Sequence, residues 1–370
     1  MPRAAPDPPD ADRPPRDVVS ASDALPPVEA PSAGFIVQLF VIPGVIVLIV
    51  VLVWLLFNWL AQMGNDPQSY VDAIKRNNAA RWQAAVNLAN ALNNEQGPGF
   101  KELRQNREVV KELAAVLDGE LAAGSMEEKP VTFRIFLCRA LGSFEVADGL
   151  PALLKAASTD RDPQETVVRR SALESIALLA DNVRAADSKQ PLSAPALEST
   201  LLAAATDADP LVRSSAAYVL GVIGGEPLLA QLQRMADDGY ADVRYNAATG
   251  LARHGDPAAM AMLVEMLDPE EQAGVKIEEE QSRVFKRALI EFNALRAIGT
   301  LLQSNSRLDG KQFVPAIEKL LKSSPPNNVS SEAENLLRTI RQRSMRDQQS
   351  CRAVGSEFMV SSMLRSARQE

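Results

Sequence analysis

Between residues 80 and 338 the chain repeats one spacing of apolar and polar positions seven times. In each copy an apolar residue precedes a position numbered zero here. A small or apolar residue follows at position +3 and a branched aliphatic residue at position +7. Position zero is occupied by Arg81, Arg134, Arg169, Arg213, Arg244, Glu291 and Ser330. Because residues at these spacings share one stripe of an α-helix, each copy predicts a helix with one buried face.

Helix-start signals accompany these copies. Asp162, Asp209 and Asp256 each precede a proline. An aspartate carboxylate caps free amide protons, and proline fits the first helical position. A single pair of helices cannot bury its stripe, so the pairs are expected to stack. An arginine beside the packing stripe is costly unless it is paired, which makes Asp209 or Asp242 a candidate partner.

Two central copies carry the signature of a known family. The matching residues are Asp209-Pro210-Leu211-Val212-Arg213 with Ala216, Leu220 and Gly221, and Ala241-Asp242-Val243-Arg244 with Ala247, Leu251 and Gly255-Asp256-Pro257. This pattern resembles the HEAT-repeat family, in particular the bacterial repeats related to phycobilisome lyases, over residues 66–341. The resemblance implies an all-α fold, namely an α-solenoid of antiparallel helix pairs. It does not imply a catalytic activity. It also implies a buried ladder of Asp and Arg side chains, here Asp209, Arg213, Asp242, Arg244, Arg169, Arg134 and Arg81.

A second feature lies upstream of the repeats. Residues 30–65 contain no charged side chain, and residues 35–61 are almost entirely apolar. A helix of that length would measure roughly 40 Å, more than the roughly 30 Å hydrocarbon core of a bilayer. The sequence therefore predicts one transmembrane helix over residues 34–63, with Trp54, Phe57 and Trp59 suited to the membrane interface.

A secretory signal peptide is the competing interpretation of this segment. Such a peptide has a basic start and a shorter apolar core, whereas this apolar run is long and follows an acidic tail. The upstream flank contributes Arg16 alone, and the downstream flank contributes Lys75, Arg76 and Arg81. Because basic flanks stay on the cytoplasmic side, we expect a single-pass protein whose repeats lie in the cytoplasm.

The segments outside the repeats have distinct compositions. Residues 1–33 hold nine of the 24 prolines without apolar periodicity, which predicts a disordered tail. Residues 342–370 match no repeat and are interpreted as a tail or a capping helix. The acidic loop 268–280 is interpreted as solubilising, with recruitment of a basic protein as the alternative. A net charge of −8 disfavours a nucleic-acid-binding surface.

Residues able to support catalysis are scarce. His254 is the single histidine, so neither a His-rich metal site nor the diiron site of HEAT-like hydroxylases can be built. Its place beside Gly255 at a helix end predicts a contact with terminal carbonyls. Cys138 follows a packing position, which predicts a buried thiol, and it is too far from Cys351 in sequence to suggest a metal motif. We expect no enzyme activity, no cofactor and no metal.

The polar positions of the repeat suggest an interface. Position +5 points away from the packing stripe and holds Tyr218, Arg139 and Arg296 in three of the copies. An exposed tyrosine among polar neighbours is a candidate anchor for a protein partner. The alternative is that Tyr218 packs on the next repeat.

Three classes of function remain open. The favoured one is a membrane-anchored, non-catalytic scaffold or adaptor whose solenoid binds a protein partner. The second is a phycobilin-lyase-like or chaperone-like protein, suggested by the repeat subfamily and disfavoured by the scarcity of His and Cys. The third is a structural subunit of a larger membrane complex.

Overall fold

The computed structural model describes residues 32–63, 67–76, 78, 80–94, 98–187 and 191–345. Contacts divide the chain after Asn65 into two units. The predicted tails fall outside the described residues, apart from residues 32, 33 and 342–345. Every regular element among the described residues is helical, and none is a strand.

The first unit contains the apolar segment. It consists of α1 (Ala33–Ile36), a π-helical turn (Val37–Val41) and α2 (Ile42–Met63). The π-helical turn ends two residues before Pro43, whose missing N–H and bulky ring interrupt the regular hydrogen-bond ladder. Residues Val37–Phe57 form a helix that is long and apolar enough to cross a membrane.

The second unit is an α-solenoid of seven helix pairs, as the sequence predicts. The first helices of the pairs are α3 (Pro67–Lys75), α5 with α6 (Pro98–Arg104 and Arg107–Ala123), α8 (Leu150–Ser158), α10 (Leu197–Ala204), α12 (Glu226–Met235), α14 (Met260–Met266) and α16 (Val314–Lys322). The second helices are α4 (Arg81–Asn94), α7 (Glu128–Gly142), α9 (Glu165–Ala186), α11 (Pro210–Ile223), α13 (Ala241–Arg253), α15 (Glu280–Ser304) and α17 (327–345).

The repeated apolar positions form the core. All seven residues at position +3 and all seven at position +7 are buried. The residue before position zero is also buried in six copies, while Ala80, which precedes α4, is exposed. From α4 to α15, each second helix packs against the second helices of the neighbouring repeats. The stripes therefore merge into one continuous apolar layer, which a single pair could not form alone.

Small residues let the second helices approach closely. Gly221 at position +8 of its copy faces Gly250 at position +6 of the next copy. A Cβ atom placed on Gly221 would lie 2.5 Å from the Cα atom of Gly250, so α11 and α13 touch through their backbones. Gly142 meets Ser175 in the same way, with the added Cβ atom 2.8 Å from the Ser175 carbonyl oxygen.

Candidate partner-binding face

The arginines at position zero tie each repeat to the next. Arg213 on α11 makes a bidentate ion pair with Asp238, with Nε–Oδ2 and Nη2–Oδ1 distances of 2.8 and 3.0 Å. Its Nη1 atom also donates to the Asp207 carbonyl oxygen over 2.9 Å. The hydrogen bond from Arg213 holds the pKa of the Asp238 carboxyl below its usual value. One guanidinium thereby joins the interhelical turns of two successive repeats.

The same arrangement repeats on both sides of Arg213. The Asp207 carboxylate receives Arg169 of the preceding copy, and the Asp238 carbonyl oxygen receives Nη1 of Arg244 over 3.0 Å. Arg244 then pairs with Glu265 over 2.9 Å. The result is a continuous chain of polar contacts, in the order Arg169, Asp207, Arg213, Asp238, Arg244 and Glu265.

The acids of this ladder differ from the two aspartates suggested by the sequence. Asp209 caps α11, with its Oδ1 atom accepting from the Leu211 amide over 2.8 Å and its Oδ2 atom from the Thr166 hydroxyl over 3.2 Å. Asp242 pairs with Lys286 over 3.0 Å. Both carboxylates lie at the start of a second helix, whereas the arginine reaches the turn that precedes that helix in the next repeat.

The first two arginines have other surroundings. Arg81 pairs with Glu120 over 2.6 Å and lies above the Phe133 ring. Arg134 is completely buried and donates to the Ser125 carbonyl oxygen over 2.8 Å. Burial lowers the pKa of its guanidinium, against the opposing effect of nearby Glu165. Arg81 thus pairs with an acid of the next repeat, and the Arg134 Nη1 atom lies 3.9 Å from the Glu165 Oε1 atom of the next repeat.

The ladder ends at the sixth copy, where Glu291 occupies position zero. Its side chain is almost fully buried, and burial raises the pKa of its carboxyl to about 7, with Arg287 acting in the opposite direction. Ser330 occupies position zero in the last copy. Hence no arginine at position zero links α15 to the seventh pair.

Position +5 is exposed where the sequence places the candidate interface. Tyr218 is 42% exposed. Arg139 and Arg296 are exposed and lie over the rings of Phe136 and Phe292 of their own helices, at 5.0 and 5.9 Å. The three side chains occupy equivalent positions on α7, α11 and α15.

Exposed apolar side chains share this orientation. Positions −6, −2, +5 and +9 lie within about 60° of one another around an α-helix. We call this side of the second helices the free face, and its large exposed apolar residues are Val167, Leu178, Leu211, Tyr218, Phe285 and Leu289. We call the four on α9 and α11 the first patch and the two on α15 the second patch, and α13 between them carries Asp242 and Thr249 at the corresponding positions.

A groove opens on the free face between α15 and α17. Its volume is about 1040 Å³, and the loop from Ser306 to Lys311 lines one end. Gly299 at position +8 of α15 faces Leu336 at position +6 of α17. A Cβ atom on Gly299 would meet only the Leu336 Cδ1 atom, at 4.0 Å. The Leu336 side chain therefore keeps the two backbones apart, where Gly250 at the equivalent position lets α11 and α13 touch.

The acidic loop is partly neutralised by internal contacts. Lys319 of α16 binds Asp268 over 2.8 Å and Glu270 over 3.4 Å. Lys286 binds Glu278 over 2.9 Å. These contacts attach the loop to the last two repeats.

The residues considered for catalysis occupy structural positions. The His254 Nε2 atom lies 3.0 Å from the Gly221 carbonyl oxygen and so links the end of α13 to α11. Burial raises the pKa of the Cys138 thiol to about 12, which keeps it unreactive. Cys351 lies outside the described residues. Within the described ranges, no group of His, Cys, Asp and Glu side chains is arranged to hold a metal ion.

Part of the solenoid matches a known family of repeats. Residues 198–282 match the family model of HEAT repeats. This range contains the two copies with the most regular arginine ladder, so the match and the ion pairs fall on the same part of the α-solenoid. No curated protein sequence matches the chain.

Three solved structures align with this chain at low sequence identity. The crystal structure of the Escherichia coli protein YibA is 19% identical, covers 74% of this chain and 97% of its own, and has a TM-score of 0.34. An engineered protein is 18% identical over 75% of this chain and 98% of its own, with a TM-score of 0.32. Human deoxyhypusine hydroxylase in complex with glycerol is 17% identical over 76% and 99%, with a TM-score of 0.29.

Proposed function

We propose that this protein is a membrane-anchored, non-catalytic scaffold that binds a protein partner through the free face of its solenoid. HEAT repeats generally mediate protein–protein interaction, which agrees with the match over residues 198–282. The observation that carries the proposal is the shared orientation of six exposed apolar side chains. Scattered single apolar residues are normal on a protein surface, but aligned ones mark an interaction site.

The first patch contains the most suitable anchor for a partner. Tyr218 stands beside Leu211 on α11, with Val167 and Leu178 on neighbouring α9. Tyrosine combines a large apolar area with a polar tip and is enriched among the residues that dominate binding energy. The arginines at the equivalent positions of α7 and α15, Arg139 and Arg296, add residues of another type enriched at interfaces.

The apolar helix supports the membrane anchor in this proposal. The described side chains of Val37–Phe57 are exposed, including Phe40, Trp54 and Phe57. Exposing so many apolar side chains to water is unfavourable, whereas a bilayer solvates them. The basic flank formed by Lys75, Arg76 and Arg81 supports a cytoplasmic solenoid.

The anchor and its orientation can be tested together. We expect removal of residues 1–64 to release a helical protein that stays monodisperse without detergent. In the full chain with both native cysteines replaced, Glu279→Cys should react with an impermeant thiol reagent in lysed cells but not in intact cells. Equal labelling in intact cells would place the repeats outside, and a detergent requirement of the truncated chain would argue against an independent solenoid.

The binding face can be tested by photo-crosslinking in cells. We place a photoreactive residue at position 218 in the full chain, and at position 264 as a matched control. Val264 lies on a first helix and is 39% exposed, close to the 42% of Tyr218. A discrete protein adduct from position 218 alone supports the scaffold function. Equal adducts from both positions would contradict it, and a constant stoichiometric complex in mild detergent would favour a structural subunit.

A further inference from the structure

We propose that the groove between α15 and α17 binds an acidic segment of the protein partner, with one bulky apolar side chain seated over Gly299. This inference rests on the proposed scaffold function and adds the chemistry of the bound segment. The groove is continuous with the free face, because Arg296 and Asn335, which both occupy position +5, line it.

The apolar part of the groove has room for a side chain. Gly299 contributes no side chain to one wall, and Leu336 and Ile340 of α17 line the other. The loop residue Leu308 is partly exposed at one end. An apolar side chain placed over Gly299 would exchange water for contact with these residues, which favours binding.

The rim of the groove supplies positive charge. Arg296, Arg307 and Lys311 line it, and none of them forms an ion pair with another described residue. Arg343 also lines the groove, but its guanidinium is held by the carbonyl oxygens of Leu302 and Ser306.

The groove is lined by two carboxylates, Asp309 and Glu332, and by these four cationic side chains, so positive charge is in excess. The Asp309 carboxylate is engaged by the Lys311 amide, with an N–Oδ1 distance of 2.9 Å. The groove is therefore a basic site in a chain of net charge −8. Complementary charge selects an acidic segment and rejects a basic one.

The size and openness of the groove favour a peptide segment. Pockets for small molecules hold about 300–1,000 Å³ and enclose most of the ligand. This groove, at about 1040 Å³, is slightly larger than that range and is open to solvent between two helices, which suits an extended segment better than an enclosed small molecule.

The test is a selection of binders from a random displayed peptide library on the full chain in lipid nanodiscs. Each selection is repeated on Gly299→Leu, which fills the groove, and on Gly119→Leu. Gly119 lies on α6, and a Cβ atom there would meet nothing within 4 Å, so Gly119→Leu is a matched glycine replacement away from the groove. Thermal unfolding of each variant verifies the fold, and the smaller change Gly299→Ala replaces Gly299→Leu if that variant unfolds.

We expect the peptides lost with Gly299→Leu but kept with Gly119→Leu to be enriched in Asp and Glu around a bulky apolar residue. The double variant Arg307→Glu, Lys311→Glu should weaken such a peptide about tenfold or more. Basic or neutral peptides, or binding insensitive to Gly299→Leu, would overturn the proposal. Binding seen only after removal of residues 346–370 would show that this segment occupies the groove, and would overturn it as well.

The result is separable from the scaffold function. Suppose that the adduct at position 218 persists in Gly299→Leu and that the selection yields no acidic peptides that depend on Gly299. This result would refute peptide binding in the groove and leave the scaffold function intact. If the photoreactive residue at position 218 gives no protein adduct in a chain that keeps Gly299, the scaffold function itself is refuted.

Discussion

Two junctions of the solenoid use the same glycine position in opposite ways. Between α11 and α13, Gly221 faces Gly250, and the ladder from Arg213 to Asp238 crosses the same junction. Between α15 and α17, Gly299 faces Leu336, and Glu291 replaces the arginine. The first junction is tight and the second holds a groove. A small residue at position +8 therefore permits close packing, while the residue opposite decides whether close packing occurs.

The sharpest test of this comparison is Gly221→Ala. The new Cβ atom would lie 2.5 Å from the Gly250 Cα atom, so the backbones must separate. We expect a loss of about 3 kcal/mol or more in the free energy of unfolding, measured by denaturant titration. A loss below about 1 kcal/mol, the level of an ordinary surface change, would show that the junction adjusts easily.

The ladder contributes separately to the tight junction. Arg213→Ala removes a bidentate ion pair that lies mostly away from solvent and leaves Asp238 without its partner. We expect a loss of about 3 kcal/mol in the free energy of unfolding. Arg253→Ala, which changes an exposed arginine on α13, is the control and should cost almost nothing. Equal losses would mean that the ladder adds no stability.

The loose junction should respond to pH through Glu291. Its carboxyl has a pKa of about 7 in the folded state, above the ordinary glutamate value of 4.5, so the folded state binds the proton more tightly. The stability that proton binding by Glu291 contributes to the folded state is therefore fully present below about pH 4.5 and is lost as the pH rises through about 7.

The corresponding measurement compares Glu291→Gln with the unmodified chain at pH 5 and pH 8. We expect the variant to gain about 2 kcal/mol relative to the unmodified chain at pH 8, and to flatten its pH dependence. Glu334→Gln, an exposed carboxylate on α17, is the control. An identical pH dependence in Glu291→Gln would show that Glu291 does not titrate in this range.

The counterpart of Gly221→Ala is Gly299→Ala. Here the added Cβ atom meets only the Leu336 side chain at an ordinary contact distance. Alanine stabilises a helix interior relative to glycine, so we expect a gain of about 0.5–1 kcal/mol in the free energy of unfolding. A loss as large as that of Gly221→Ala would show that the two junctions are packed alike.

The smallest expected effect on stability is that of Tyr218→Ala. The side chain is exposed on the free face, so the melting temperature should be almost unchanged while copurification of the partner is weakened. Arg139→Ala and Arg296→Ala extend the test along position +5. Strong destabilisation by Tyr218→Ala alone would mean that the ring packs on a neighbouring repeat.

The buried positions of each second helix could be predicted because they follow from the spacing of apolar residues along the chain. The buried stripe at positions +3 and +7 needs only the period of one helix. The α-solenoid follows, since such stripes can be buried only by stacking.

The partners of the ladder could not be predicted in the same way. Asp207 and Asp209 lie two residues apart at one turn, and both carboxylates accept hydrogen bonds. Which of them meets Arg169 depends on the placement of the preceding repeat, and helical spacing carries no information about that placement. The cap, by contrast, is local, and Asp209 before Pro210 signals it directly.

The groove depends on a pair of residues in different copies. Gly299 alone resembles Gly221 and Gly142, which both sit in tight contacts. The available signal was the large residue Leu336 at position +6, where the copies that face Gly221 and Gly142 carry Gly250 and Ser175. Detecting it requires knowing that position +8 faces position +6 of the next copy, and that pairing comes from the stacked helices.

The missing arginine at position zero of the sixth copy also has a mechanical consequence. Deformation of a solenoid is shared among nearest-neighbour interfaces, and the least constrained interface bends first. Between α11 and α13, an ion pair and touching backbones resist rotation. Between α15 and α17 the Leu336 side chain separates the backbones, and a charged contact runs from Arg343 to the Leu302 carbonyl oxygen. A force transmitted along the stacked repeats would therefore deform the interface between α15 and α17 more than the interface between α11 and α13.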